Sequence, residues 1–136
     1  MKYKFFKSPI HGIGCQATEN IEENEIINIE PMIELDATSL GKYSKIRNYV
    51  WGSSKKKDIV YLINGLGSYC NHNNESNLII EIDEDNLMCK YKAKKDIKQG
   101  EELFVNYGKS WFEKRQKVKQ IKKHTKIKPF RMFKIN

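Results

Sequence analysis

Short apolar runs alternate with polar turns along most of the chain. YKFFK at 3–7 is strand-like, and SPIHGIG from Ser8 breaks it. CQAT at 15–18 can form a short strand, and NIEENE at 20–25 reads as a turn. IINIEPMIEL at 26–35 is isoleucine-rich β-structure interrupted at Pro31, which suits a strand edge or a bend because proline cannot donate to a ladder. The next stretch changes period. Leu40, Tyr43, Ile46, Tyr49 and Val50 recur at helical spacing after a candidate cap at Thr38 or Ser39, which predicts a helix.

GSSKKKD at 52–58 is a polar loop, and IVYLI at 59–63 a short buried strand. NLIIEI and LMCKYKA, joined by the acidic turn DEDN, form a predicted β-hairpin. DIKQGEELFVNYG turns at Gly100 and continues as a strand. Ser110 to Glu113 fits a capping box, in which the serine hydroxyl and the glutamate each bond an amide of the first turn. A helix is expected to follow, with Trp111, Val118 and Ile121 roughly on one face, ending by Pro129. No internal repeat is present. The fold class expected is mainly β with short helices, its sheets packed around a small core, plus a basic C-terminal helix.

One segment resists this pattern. Directly after the apolar run at 59–63, GSYCNHNNESN brings together Asn71, His72, Asn73, Asn74 and Asn77. Asparagine is unfavourable inside regular structure, and a buried amide must find partners. The segment is therefore either a solvated turn or the wall of a polar pocket.

Composition narrows the class. At 136 residues one domain is expected, and 39% hydrophobic residues with 11% aromatics make it globular. No apolar run approaches the roughly 18 residues that would span a membrane, so no membrane partner is expected. The first residues, MKYKFFKSPIHG, do not read as a secretory signal, so the expected location is intracellular. Cys15, Cys70 and Cys89 are an odd number with no C-x-x-C pair, which favours buried free thiols over disulfides or structural zinc. Cys70 and His72 lack a third and fourth ligand, so no metal is expected.

The net charge of +8 is uneven. Residues 113–136 hold ten basic side chains and one acidic one, which leaves 15 basic and 16 acidic in residues 1–112. The tail is either a nucleic-acid or acidic-protein contact, or a solvated charged helix face. The chain thus divides into a body at 1–112 and a basic helix or tail at 113–136.

Three small motifs carry candidate chemistry: Gly12-Ile13-Gly14, Asn71-His72 followed by Asn77, and Gly100-Glu101-Glu102-Leu103 leading to Tyr107. Each is weak alone. In this order and spacing they resemble the SET domain of protein-lysine methyltransferases, over roughly residues 3–112. The match is nearest to the short single-domain members, including viral SET proteins, with Tyr107-Gly108-Lys109-Ser110-Trp111 matching their terminal Y-G-x-x-W. NYVW and GLGS resemble the same subgroup.

The resemblance implies a SET fold in which the asparagine-histidine segment passes beneath a neighbouring strand as a pseudoknot. It implies S-adenosyl-L-methionine as cofactor and S-adenosyl-L-homocysteine as product. Ile13, Gly14, Asn71, His72, Tyr107 and Trp111 would form the cofactor site, with Trp111 either stacking on adenine or anchoring the final helix. His72 is expected to be a hydrogen-bonded structural residue rather than a base. Tyr107 would be catalytic, accepting a weak C–H···O contact from the methyl and orienting the amine. Tyr49 and Tyr69, with Trp51 and Tyr61, are candidates for an aromatic lysine channel.

The implied substrate is a histone tail or another basic protein, which would place the chain in the nucleus or on chromatin. A homodimer is expected by analogy with the short members. The family's usual NHSCxPN is NHNNESN here, so the turn before Asn77 lacks its proline and should be looser. Val105 stands where larger enzymes often carry Phe or Tyr, which leaves room for di- or trimethylation. The competing reading is a SET-like module without turnover that binds nucleic acid or a protein partner through its basic tail.

Overall fold

The computed structural model describes residues 1–108. The expected helix from Ser110, Trp111 and the basic tail lie outside the described residues. Among the described residues nine strands form two sheets. They are β1 (Tyr3–Lys7), β2 (Ile13–Ala17), β3 (Ile26–Asp36), β4 (Val50–Gly52), β5 (Ile59–Ile63), β6 (Asn71–His72), β7 (Leu78–Asp83), β8 (Met88–Ala93) and β9 (Glu102–Val105). One sheet runs β1-β2-β9-β6 and the other β4-β5-β3-β8-β7. A single turn of α-helix, α1 (Leu66–Tyr69), links β5 to β6.

The local patterns at 3–7, 59–63 and 78–93 form the strands they predict, including the hairpin in which Asp83 pairs with Met88. Alternation explains why they pack. On β8, Cys89, Tyr91 and Ala93 face inward and are fully buried, and on β9 Leu103 and Val105 do the same. Burying a leucine of this kind stabilises the fold by about 1.5–3 kcal/mol. Cys15, Cys70 and Cys89 are buried free thiols, and burial pushes the Cys89 thiol up to about 11.

Two expectations need correction. Pro31 does not interrupt β3, which is continuous for 11 residues in the middle of its sheet. Instead Pro31 marks a change of partner. The first half of β3 pairs with β8 as far as Pro31↔Met88, and the second half pairs with β5 from Met32↔Ile63. The missing N–H thus falls where one ladder gives way to the other, and Met32 N–H takes up the bond to Leu87 O at 2.9 Å.

The stretch after Asp36 is not an α-helix either. It forms two 3₁₀ turns, Ala37–Ser39 capped by Asp36 and Lys45–Asn48 capped by Ser44. The backbone closes i→i+3 bonds, Leu40 N–H to Ala37 O and Ser44 N–H to Gly41 O among them, and the Arg47 guanidinium ties the two turns together by donating to the carbonyls of Ala37, Leu40 and Gly41 at 2.8–2.9 Å.

Candidate active site

The polar segment after α1 is partly enclosed: Asn71 and Asn77 are buried, whereas Asn73 and Asn74 are exposed. β6 pairs in parallel with β9, setting Asn71 opposite Phe104 and His72 opposite Val105. Asn77 extends the same attachment through its side chain. Its amide nitrogen donates to Glu102 O at 2.9 Å, and its amide oxygen accepts from Phe104 N–H at 2.8 Å. It thereby behaves as one more residue paired to β9. On its other side Asn77 O accepts from Lys94 N–H at 2.9 Å. The turn between is closed by Asn73, whose amide oxygen accepts from Glu75 N–H at 2.9 Å where the family pattern has proline nearby.

Asn71 is 1% exposed. Its amide nitrogen donates to His11 O at 2.9 Å and to Glu102 Oε2 at 2.8 Å. Ser8 Oγ donates to the same carboxylate at 2.7 Å. Gly14 is forced by this crowding, since a Cβ there would lie 2.7 Å from Glu102 Oε2 and 3.1 Å from Asn71 Nδ2. Asn71 Oδ1 is buried and has no hydrogen-bond partner among the described residues. Burying such an acceptor without a donor costs about 1–3 kcal/mol. Ile13 opens β2 beside it, half exposed.

His72 is bonded on both ring nitrogens. Nδ1 accepts from Tyr107 N–H at 3.0 Å, and Nε2 lies 2.9 Å from Asn74 Oδ1. Accepting at Nδ1 requires the ring proton to be on Nε2, where it can be donated to Asn74. Tyr107 follows β9, and its hydroxyl donates to Cys70 O at 2.5 Å. Its ring lies 5.3 Å from that of His72 and meets Trp51 edge-on at 6.0 Å. Trp51 is fixed in turn by its indole N–H, which donates to Gly67 O at 2.9 Å. A small cleft here is lined by Tyr49, Val50, Trp51, Gly67, Ser68 and Tyr107.

Tyr49 stands 6.2 Å from Tyr69 at the cleft margin, and Tyr69 meets Phe5 at 5.2 Å. Tyr61, expected in the same channel, is not brought there. It is fully buried, and its hydroxyl donates to Glu84 Oε1 at 2.9 Å. Glu84 also accepts from Ser53 and Ser54, and these hydroxyls hold its carboxyl at about 2. Val105 is fully buried in the core rather than in the cleft wall. Residues without an assigned role in the motifs also belong to the site: Ser8, Glu102 and the carbonyls of Gly67 and Cys70. Glu102 stands inside a quoted motif, but a carbonyl leaves no trace in a side-chain pattern. Among the described residues no three His, Cys, Asp or Glu side chains gather as metal ligands, and no helix is long and apolar enough to cross a membrane.

The SET domain profile matches residues 12–108. The chain is 30% identical over 124 residues to a Schizosaccharomyces pombe histone-lysine N-methyltransferase specific for H3 lysine 37, covering 83% of each protein. It is similar to the crystal structure of a Plasmodium falciparum protein assigned as a histone methyltransferase, with a TM-score of 0.66, 26% identity and coverage of 82% of this chain and 96% of that one. A chain of the Chaetomium thermophilum Polycomb Repressive Complex 2, in an inhibitor-bound humanized mutant, matches with a TM-score of 0.65 at 29% identity. That match covers 78% of this chain but only 15% of the other.

Proposed function

The chain belongs to the SET-domain family and is a protein-lysine methyltransferase, and on that premise we propose that it methylates a histone lysine with S-adenosylmethionine as donor. The histone assignment rests on the fission yeast relative, an enzyme specific for H3 lysine 37, and implies action in the nucleus. The reading is carried by one observation: the Tyr107 hydroxyl is bonded to the carbonyl of Cys70, the residue immediately before Asn71. A strand-end phenol and the asparagine-histidine segment are thereby tied into one site.

The residues fit the cofactor. Asn71 Oδ1 offers a buried acceptor without a partner among the described residues, suited to an ammonium group. Gly14 lets the Asn71 amide and the Glu102 carboxylate pack against its backbone, and Ile13, Gly14, Asn71 and His72 would hold the amino-acid and adenosine ends, with Trp111 assigned by motif alone. When bound, the cofactor supplies a sulfonium-activated methyl group.

The protein's own part follows from the cleft. Tyr49 and Trp51 present aromatic walls to an incoming lysine side chain and exclude water around it. Low polarity disfavours the ammonium form, whose free pKa is about 10.4, and so releases the neutral amine needed for attack. The single proton of the Tyr107 hydroxyl is committed to Cys70 O, which leaves the phenol oxygen as an acceptor for an amine N–H or a polarised methyl C–H. Two fixed bonds, at the hydroxyl and at the Tyr107 N–H, restrain this residue, and such alignment converts binding into rate.

Calorimetry with S-adenosylmethionine, followed by radiolabelled methyl transfer to purified histones with Tyr107→Phe as control, tests the proposal. Absence of cofactor uptake by the full chain would overturn it in favour of a non-catalytic module.

A further inference from the structure

Glu30 lies in mid-strand on β3 and is 3% exposed. It joins no ion pair among the described residues. A carboxyl group in such a place is costly unless hydrogen bonds replace its water. One oxygen, Oε2, supplies nearly all of them. It accepts from Leu66 N–H at 3.0 Å, from Asn28 Nδ2 at 2.9 Å and from the Tyr3 hydroxyl at 3.3 Å. Oε1 has no partner among the described residues.

The chain is built to let this group approach. Gly65 takes φ +114°, and a Cβ at that position would run into the Glu30 carboxyl. Only glycine meets both conditions without strain. The amide so held belongs to the first residue of α1, and the segment it begins delivers the main-chain acceptors of the cleft. Gly67 O holds the Trp51 indole, and Cys70 O holds the Tyr107 hydroxyl. Cys70 N–H in turn bonds Leu66 O at 2.9 Å, so the two ends of the segment are mechanically one piece.

We propose that Glu30 is a positioning residue for methyl transfer: by holding the Leu66 amide, its buried carboxyl sets where the 65–70 segment lies, and hence where the Cys70 carbonyl places the Tyr107 hydroxyl. This rests on Tyr107 being the catalytic phenol. Volume alone would be served by leucine. What distinguishes Glu30 is an acceptor at the reach of its full side chain, which glutamine preserves and aspartate, one methylene shorter, withdraws.

The test uses the full chain, S-adenosylmethionine carrying a labelled methyl group, and purified histones. Glu30→Gln is expected to retain kcat within about threefold, because the acceptor remains. Glu30→Asp is expected to lose roughly tenfold or more through misplacement of the phenol. Gly65→Ala, which crowds the carboxyl without altering Glu30, should reproduce that loss. In a Tyr107→Phe background Glu30→Asp should cost almost nothing further, since the group it positions is gone. The proposal is overturned if Glu30→Asp turns over like wild type, if Glu30→Gln is as poor as Glu30→Asp, or if the aspartate loss persists in full beside Tyr107→Phe. A Tyr107→Phe enzyme with wild-type turnover would overturn the catalytic reading itself, and that result is separate from any measured on Glu30 alone.

Discussion

The hydroxyl of Tyr107 donates to the carbonyl oxygen of Cys70 at 2.5 Å, across 37 residues of sequence. This bond joins the chain just after β9 to the residue just before β6. It also leaves the phenol oxygen with acceptor capacity only, the state methyl transfer to an amine can use.

Removing that oxygen should therefore affect rate more than binding. Tyr107→Phe is expected to lower kcat roughly a hundredfold, in the range that misalignment of reacting groups produces. Cofactor affinity by calorimetry should change little, because Asn71 and Gly14 are untouched. A parallel loss of affinity and rate would place Tyr107 in the cofactor site alone.

Gly14→Ala should act on binding instead. The new Cβ would press on Glu102 Oε2 and Asn71 Nδ2, and relief of such overpacking costs about 1–3 kcal/mol. Since Glu102 Oε2 accepts from the Asn71 amide, displacing this pair should lower S-adenosylmethionine affinity. A titration with unchanged affinity would remove Gly14 from the cofactor site.

Asn77→Ala leaves Glu102 O and Phe104 N–H without their side-chain partner. A loss of about 2 kcal/mol is expected, readable as a shift in the denaturant midpoint at constant slope. A variant with the wild-type midpoint would mean that Asn77 does not secure the segment to β9.

Tyr61 and Trp51 are cross-strand partners yet should respond differently. Tyr61→Phe removes a bond to Glu84, and neither residue lines the cleft, so it should leave kcat/KM unchanged while lowering the melting temperature. Trp51→Leu removes a cleft wall and should raise KM for the peptide. Equal kinetic losses in the two variants would return Tyr61 to the channel.

Glu84 predicts an acid limb of stability. Its carboxyl is held at about 2 by Ser53 and Ser54, below the ordinary value of 4.5. A depressed folded-state value stabilises the fold above the unfolded value, so the contribution is full above pH 4.5 and is lost as pH falls toward 2. Glu84→Gln should flatten thermal stability across that window relative to wild type. Asp36, Glu81 and Asp83 are shifted the same way by their own partners and will retain a smaller slope. An unaltered profile in Glu84→Gln would refute the assignment.

Alternation complete within a few residues is enough to read strands such as 59–63 and the 78–93 hairpin. The asparagines after residue 70 are compatible in sequence with either a solvated turn or a pocket wall, while the order of three motifs identifies the family. The fold sets their partners. Asn77 reaches β9 some 25 residues later, Ser8 and Asn71 meet on Glu102, and Glu30 meets an amide 36 residues away. The fold also decides that Pro31 marks an exchange of ladders, that Arg47 reaches back to three carbonyls after Asp36, and that the Tyr61 hydroxyl belongs to Glu84. The physical reason is common to all of these. Periodicity and turn chemistry report which face of a local segment is apolar, whereas a hydrogen bond to a distant carbonyl or carboxyl depends on where two sheets come to rest.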